Sequence, residues 1–315
     1  MAGFLNSLSA VLMVFLLMAV GYVLGKLKWM TGAEKKFVSR FVVNIAVPFN
    51  CIVGLKNNLS HDDLFQAGWM ILTAFTGIAV TLILGAVGAT VLKLPRNRWG
   101  VFASMAGTSN TLFIGLPMTT QLLGEVSVPY VMLYYLSSSM LTQTVVVLLI
   151  ERAGSVEPRG LGLKSVLKDL VTKPPILGVI TGVLLLVLDI QPPALFMKFA
   201  GYMSSTVTPL ALLYCGYIVY EVGLKNLRFL PGIPTMLVIR LVISPMICMG
   251  MCAMMGVTGL ARDVFVVEAA LPVVSQITVM AGAFGADEKY AATGACLSTL
   301  GCFITIPILM VLLGG

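Results

Sequence analysis

The chain carries the segment GTSNTLFIGLP at positions 107–117, where a polar run with glycine and proline interrupts an apolar stretch. Lipid offers no hydrogen bonds, so a helix is broken at membrane depth only where the break lines a protein cavity or water. A second interruption, EAALPVVSQ, follows at positions 268–276. Two broken segments, one in each half of a membrane chain, are typical of a binding site at the centre of the bilayer.

The composition places the chain in a lipid bilayer. Hydrophobic residues make up 58% of its 315 residues and charged residues only 10%, and the mean hydropathy is +1.00. Soluble domains carry about 25% charged residues. Apolar stretches of about 20 residues, enough to cross about 30 Å of hydrocarbon, recur along the whole chain. The net charge of +7 resides in short loops, so it predicts topology and not nucleic-acid binding.

Ten membrane spans are predicted, five on each side of a more polar linker at 151–173. Because the linker separates two sets of five spans, the sequence predicts a first five-helix repeat at 1–150 and a second at 174–315. The first five spans lie near 8–26, 37–56, 67–92, 99–123 and 127–150, and the second five near 174–190, 196–220, 233–257, 264–285 and 289–313.

Lysine and arginine residues are concentrated in every second loop. Sixteen of the 20 fall in one set of alternate loops, which includes the linker, and Arg240 lies within a span. The positive-inside rule then predicts a cytoplasmic linker and two outside termini in the cell membrane. This pattern requires an odd number of spans per half, so the two halves enter the membrane with opposite orientation. The other set of loops holds only Lys56, Lys198 and Arg262.

The two halves also match each other at a constant offset. Three glycine or proline pairs are each 161 residues apart and fall in register in the first, second and fourth spans of each half. An inverted repeat with a pseudo-two-fold axis in the membrane plane is the simplest interpretation. The pairs are Gly21 with Gly182, Pro48 with Pro209, and Gly124 with Gly285.

Polar groups of the first interruption are candidate substrate ligands. Ser109, Asn110 and Thr111 supply hydroxyl and amide groups. Gly115 permits close backbone approach, and Pro117 leaves an upstream carbonyl without its usual donor. The alternative is a kinked helix whose Ser and Thr side chains bond their own backbone or a neighbouring helix.

The second interruption supplies a matching set. Pro272 is followed by Ser275 and Gln276 in the ninth span. If the two broken helices cross, the positive amino-terminal ends of their second halves point at the crossing. That field, together with the amides of Asn110 and Gln276, favours an anionic group such as a carboxylate.

Two ionisable residues lie inside predicted spans, where each costs about 2.5–3.5 kcal/mol or more at a helix centre. Glu268 precedes Pro272 by one turn and is a candidate for carrying a coupling ion, or for pairing with a cation. Arg240 is a candidate partner of Glu268, a candidate substrate ligand, or a residue that reaches the lipid headgroups. In the second span, Asn44 and Asn50 are secondary candidates for the substrate path, or interhelical contacts.

No residue pattern indicates an enzyme. The one histidine, His61, lies in a predicted outer loop, and no Ser/His/Asp or metal-ligand arrangement is present in the sequence. The six cysteines lie mostly in apolar spans and are expected to be small packing residues. We therefore expect no cofactor and no metal, apart from a coupled proton or sodium ion.

The run Ser109–Pro117 resembles the fourth-helix signature of the auxin efflux carrier family of permeases. LPVVSQ at 271–276, continuing through AGAFGAD at 281–287, resembles the ninth-helix counterpart. The resemblance extends from the first span to the last, but these two segments carry its specificity. The chain lacks the long central loop of the plant PIN proteins, so it resembles a prokaryotic member.

The resemblance implies an all-helical fold of two inverted five-helix repeats, as in the NhaA-like and bile-acid-transporter-like superfamily. The broken fourth and ninth helices would cross near their prolines, with substrate at the crossing. The first, second, sixth and seventh helices would form a scaffold, which commonly mediates homodimers in plant relatives. The third to fifth and eighth to tenth would form a transport bundle. Family substrates are small carboxylates such as malate, malonate and indole-3-acetate.

One departure from symmetry is visible in the sequence. At the offset of 161, Pro117 corresponds to Thr278, and Pro272 corresponds to Thr111. The two breaks are therefore expected to differ in shape.

These observations predict a secondary active or facilitative transporter of a small organic anion that works by alternating access. One alternative is a sodium-coupled organic-anion symporter of the same superfamily, in which carboxylate and amide oxygens near the crossing bind sodium. A membrane sensor that binds its ligand without transporting it is the alternative from another class.

Overall fold

The computed structural model describes residues 2–58, 61–155, 172–223 and 229–314. Most of the predicted linker, residues 156–171, lies outside this part, and the described residues fold as helices. In chain order these are α1 (Ala2–Lys26), α2 (Gly32–Asn57), α3 (His61–Val91), α4 (Arg96–Gly107), α5 (Thr111–Leu123), α6 (Glu125–Ala153), α7 (Pro174–Val187), α8 (Ala194–Val222), α9 (Ile233–Met254), α10 (Gly259–Ala269), α11 (Gln276–Phe284) and α12 (Glu288–Leu312).

Six of the described helices, α2, α3, α6, α8, α9 and α12, are long and apolar enough to cross a membrane, and shorter apolar helices accompany them. Their outer faces carry large apolar side chains such as Ile83, Ile304 and Met254, which are 64%, 68% and 81% exposed. Lipid tails solvate such side chains at no cost, whereas water does not. The chain is therefore a multi-pass helical membrane protein.

Wide π-helical turns precede three prolines. They lie at Val42–Ala46 before Pro48, at Thr111–Gly115 before Pro117, and at Ile239–Ile243 before Pro245. A proline ring collides with the carbonyl of the residue four positions earlier in an α-helix and offers that carbonyl no donor. A π turn shifts the local hydrogen bonds to a five-residue spacing, so the helix continues past the proline.

Glycines allow α1 to lie directly on α8. A Cβ at Gly21 would overlap the backbone of Leu213, and one at Gly216 would overlap the Met18 carbonyl. Small residues on facing helices let membrane helices approach until their backbones touch, and this close contact replaces the missing hydrophobic drive between helices in lipid.

The contact between α7 and α2 is built in the same way. A Cβ at Gly178 would lie 2.6 Å from the Pro48 Cα, and one at Gly182 would lie 2.8 Å from the Leu55 Cδ1. Gly182 is the residue that the sequence offset pairs with Gly21. The two members of that pair thus lie in corresponding contacts, one between α1 and α8 and the other between α7 and α2.

The remaining helices pack around the two breaks. α3 contacts α4, α6 and α9, while α4 also contacts α6 and α12. Polar contacts join the two halves of the chain at one end of this group. Arg98 at the start of α4 pairs with Asp287 before α12 at 2.7 Å, and the Ser155 N–H donates to the Phe284 carbonyl at 3.1 Å. These contacts hold helices from both halves together as one packed unit.

Candidate functional site

The fourth predicted span is broken inside the segment 107–117. α4 ends at Gly107, and α5 begins at Thr111. Thr108 between them is extended, with φ −117° and ψ 133°. The Asn110 side-chain oxygen accepts a hydrogen bond from the Phe113 N–H at 3.3 Å, which caps the new helix. Asn is among the preferred residues for this position because its short side chain reaches the unpaired N–H groups of the first turn.

The ninth predicted span is broken as well, and its break meets the first. α10 ends at Ala269, and α11 begins at Gln276. The Asn110 N–H donates to the Pro272 carbonyl at 2.8 Å, and Ser109 forms an isolated antiparallel bridge with Val273. The two extended segments therefore pair with each other, which satisfies backbone groups that lipid cannot.

Arg240 of α9 lies next to the two paired segments and is fully buried. Its guanidinium donates to the Ala106 carbonyl at 3.3 Å, to the Ser244 hydroxyl at 2.8 Å, and to the Ala269 carbonyl. Ala106 and Ala269 belong to the last turns of α4 and α10. Arg240 thus binds the carboxyl-terminal ends of both half-helices, and no ion pair joins it to Glu268 among the described residues.

The charges at the crossing can be summed from these contacts. Each helix carries about −0.5 elementary charge at its carboxyl end and about +0.5 at its amino end. One arginine therefore balances the two carboxyl ends of α4 and α10. The amino ends of α5 and α11 carry the positive ends of their dipoles, and the Glu268 carboxyl group lies beside Gly115, about one turn into α5.

A cavity of about 350 Å³ lies against those amino ends. Its lining includes Ser109, Asn110 and Thr111 from the first break, and Ser275 and Gln276 from the second. The structure thus brings these five predicted residues to one cavity, which is of a size that small-molecule sites have.

The cavity is also lined by residues that were not among the predicted site residues. α6 contributes the hydroxyls of Ser138, Ser139 and Thr142. Their spacing of one and four residues puts them on one helix face, so the run SSSMLTQT at 137–144 was an available signal. The aromatic residues of the wall are Phe113, Tyr135 and Tyr214, and the ring centroids of Phe113 and Tyr214 lie 4.7 Å apart.

Glu268 lies outside the cavity lining and is fully buried in the helix packing. Its Oε1 accepts a hydrogen bond from the Thr119 hydroxyl at 2.8 Å. A Cβ at Gly115 would lie 2.8 Å from that oxygen and 2.6 Å from the Leu271 Cδ1. Gly115 therefore makes room for the Glu268 carboxyl group and does not itself line the cavity.

The two predicted prolines also lie outside the lining of the cavity. Pro117 is in the first turn of the α-helical part of α5, and the carbonyl four residues before it, that of Phe113, accepts a weak contact from the Cys215 thiol at 3.9 Å. Pro272 contributes its carbonyl to Asn110. Both prolines shape the breaks, and neither lines the cavity.

The secondary candidates lie elsewhere. Asn44 is exposed. Asn50 is buried between α2 and α8, where its amide nitrogen donates to the Ser204 hydroxyl at 2.8 Å. Asn50 also lines a second cavity of about 560 Å³, together with Thr120 and Glu125.

The fold and site define a polytopic helical membrane protein with two broken helices that pair beside a cavity lined by hydroxyl, amide and apolar side chains. The chain belongs to the membrane transport protein family, whose model matches residues 7–310; this is the auxin efflux carrier family that the two segments resemble. It is 23% identical over 312 residues to an uncharacterized transporter of Methanocaldococcus jannaschii, covering 96% of this chain and 97% of the relative. It is 24% identical over 320 residues to an uncharacterized transporter of Methanothermobacter thermautotrophicus, covering 98% and 99%. Family and relatives indicate a transporter and not an enzyme.

Proposed function

We propose that this chain is a secondary or facilitative carrier of a small organic anion, which binds at the crossing and reaches either side by alternating access. The observation that carries the proposal is that the two carboxyl ends and the two amino ends of the half-helices have different surroundings. Arg240 occupies both carboxyl ends, and the amino ends of α5 and α11 adjoin the cavity. An anion is the ligand that such amino ends stabilise.

The proposed architecture is two inverted five-helix repeats with ten spans. The corresponding contacts of α1 with α8 and of α7 with α2 support it, as does the equivalent placing of Gly21 and Gly182. In this proposal those four helices form a scaffold, which also offers a surface for a homodimer. The bundle of α3–α6 and α9–α12 moves against the scaffold as one body. The polar contacts between Arg98 and Asp287 support a rigid bundle.

The proposed orientation has both termini outside and the linker in the cytoplasm. The crossing cavity includes Lys173, Pro174 and Pro175 at the start of α7, directly after the linker. In this orientation the cavity opens toward the cytoplasm, and the second cavity beside Asn50 and Glu125 lies toward the outside.

Glu268 is the proposed coupling residue. Its carboxyl group is enclosed by helices, with a hydrogen bond from Thr119 and without a cation partner among the described residues. An ionised carboxylate buried in this way costs several kcal/mol, which binding of a proton removes. In Glu268→Gln we expect flux in proteoliposomes to lose its dependence on an imposed pH gradient. Flux of Glu268→Gln that still follows the pH gradient would contradict this role.

Sodium coupling is the less favoured alternative. Sodium prefers several oxygen ligands, and one carbonyl oxygen at each carboxyl end, that of Ala106 in α4 and that of Ala269 in α10, is already bonded to Arg240. Uptake that follows a sodium gradient at constant pH would support this alternative and overturn the proton assignment.

The test of the binding site starts with a thermal-shift screen of organic acids on purified protein, because ligand binding raises the unfolding temperature. The acids that bind are then used for flux in proteoliposomes with Asn110→Ala and Gln276→Ala. We expect both variants to lose transport, while Gln191→Ala, an amide in an exposed loop, retains it. Wild-type flux in both site variants at normal protein levels would refute the assignment.

A further inference from the structure

A groove lined by aliphatic and aromatic side chains lies between α1, α8 and α12, and it shares no lining residue with the two cavities described above. Its volume is about 250 Å³. We propose that this groove holds an acyl chain of an anionic membrane phospholipid, whose headgroup phosphate is bound by Lys26 at the end of α1. The walls of the groove include Phe15, Ala19 and Tyr22 of α1, Gly216 of α8, and Leu300 and Phe303 of α12.

Small residues create the space in this groove. Gly216 has no side chain, and its backbone lies directly against the Met18 carbonyl of α1. Ala19, the next residue of α1, carries only a methyl group. α12 forms the third side, where the ring centroids of Phe15 and Phe303 lie 4.8 Å apart. Phe15 is nevertheless 45% exposed, so the groove is open to the surrounding lipid.

The stretch of α1 from the groove to Lys26 matches the depth of one leaflet. The lining of the groove begins at Phe15, and α1 continues to Lys26, eleven residues later. A rise of 1.5 Å per residue makes this about 16 Å, and half of the hydrocarbon core is about 15 Å. Trp29 follows shortly and is 74% exposed, and tryptophan is enriched at the level of the lipid headgroups. A lipid whose acyl chain lies in the groove therefore has its headgroup at the level of Lys26.

Lys26 lies on the face of α1 that lines the groove. It follows Tyr22 by four residues and Val23 by three, and residues at these spacings share one face of a helix. The side chain of Lys26 is exposed, and no ion pair joins it to a carboxylate within the described part of the chain. Its ammonium group can therefore reach a phosphate at the mouth of the groove.

The surroundings of Lys26 favour an anionic headgroup over a zwitterionic one. The fourteen residues that follow it contain four further basic residues and a single acidic residue, Glu34. Glu34 accepts a hydrogen bond from the Thr31 N–H at 2.8 Å. At the end of α8, the Glu221 carboxylate pairs with Lys35 at 2.6 Å. A surplus of basic residues next to a membrane helix attracts anionic lipids.

The headgroup sets the preference among lipids, because an acyl chain is solvated by other lipid tails as well as by an apolar groove. We expect purified protein in detergent to bind dioleoyl phosphatidylglycerol about 5-fold more tightly than dioleoyl phosphatidylcholine, which carries the same chains. This ratio corresponds to the contribution of about 1 kcal/mol from one lysine near the membrane surface. In Lys26→Gln the affinity for phosphatidylglycerol should fall by about 5-fold, and that for phosphatidylcholine by less than about 2-fold.

A second variant tests the groove separately from the headgroup. Ala19→Phe fills the groove with a ring, so it should abolish binding of both lipids at this site. Val20→Phe is the matched control, because it adds the same ring at a residue that is 50% exposed and outside the lining. Lys198→Gln controls for net charge, since Lys198 lies near the other end of α8. Both controls should bind the two lipids as wild-type protein does.

The measurement is native mass spectrometry of the purified chain titrated with each lipid, with glycerol 3-phosphate as a headgroup that lacks acyl chains. Equal affinity for the two lipids would overturn the inference, as would a loss in Lys198→Gln as large as that in Lys26→Gln, or a loss in Val20→Phe as large as that in Ala19→Phe. Displacement of phosphatidylglycerol by an equal concentration of glycerol 3-phosphate would indicate a site for free phosphate and would also overturn it. Because Lys26 is exposed, Lys26→Gln keeps the fold and decides the matter even if Ala19→Phe cannot be purified.

Discussion

Replacement of Arg240 by methionine tests the electrostatic basis of the crossing. Methionine has a similar length but no donors, so the Ala106 and Ala269 carbonyls lose the guanidinium contacts. A buried polar group without a partner costs about 1–3 kcal/mol, so two such groups predict about 2–6 kcal/mol. This range includes the 3–5 kcal/mol typical for breaking a buried charge pair. The expected result is a large loss of stability.

Arg262→Met is the matched control. Arg262 pairs with its neighbour Asp263 at 2.7 Å, and its side chain is 39% exposed. Exposed ion pairs contribute about 0–1 kcal/mol. The assay is thermal unfolding in detergent, where 1 kcal/mol shifts the Tm by about 2–4 °C in domains of about 150–250 residues. A Tm for Arg240→Met within about 2 °C of that for Arg262→Met would refute the assignment of Arg240 to the two helix ends.

Two substitutions of glycine by alanine test the close contacts. Gly115→Ala places a methyl group against the Glu268 carboxyl group, so it should lower stability by about 1–3 kcal/mol. Gly250→Ala, with open space around it, should be neutral or stabilising by up to about 1 kcal/mol. Equal Tm values for the two would contradict the packing at Glu268. Gly216→Ala should also lower stability by about 1–3 kcal/mol, because the new methyl group meets the α1 backbone, which cannot move aside. Gly201→Ala on the same helix is the control, because nothing lies within 4 Å of its Cβ position. Purification yield and Tm are measured for these two variants. A Gly216→Ala protein with wild-type yield and Tm would exclude backbone contact between α1 and α8.

The positions of the breaks were predictable from the sequence, because the features that cause them are local. Gly107 and Asn110 in an apolar run indicate a helix that stops and starts again, and the structure interrupts the helix between those residues. Pro272 indicates the second break in the same way, and the helix is interrupted around it.

The roles of the two buried ionisable residues were not predictable, because their partners are distant in the chain. Glu268 bonds to Thr119, 149 residues away. Arg240 bonds to the carbonyl of Ala106, 134 residues away. A sequence shows which side chains are polar, but it does not show which backbone carbonyls lose their donors when a helix ends. The partner of Arg240 is therefore a product of the fold and not of any motif.

The two breaks differ in length and in capping, and these differences bear on where the proposed anion would bind. The first spans residues 108–110 and the second 270–275. In the first, the Asn110 side chain already caps α5 by accepting from Phe113. In the second, Ser275 precedes α11 without a side-chain cap. Capping satisfies N–H groups that an anion would otherwise bind. In α11, however, the Ile277 and Thr278 N–H groups already donate to the Val274 and Ser275 carbonyls at 3.2 Å, so the missing side-chain cap does not leave more free donors there than in α5. The proposed carboxylate ligand is therefore expected to take its contacts from both breaks, from the side chains of Ser275 and Gln276 and from the Asn110 amide.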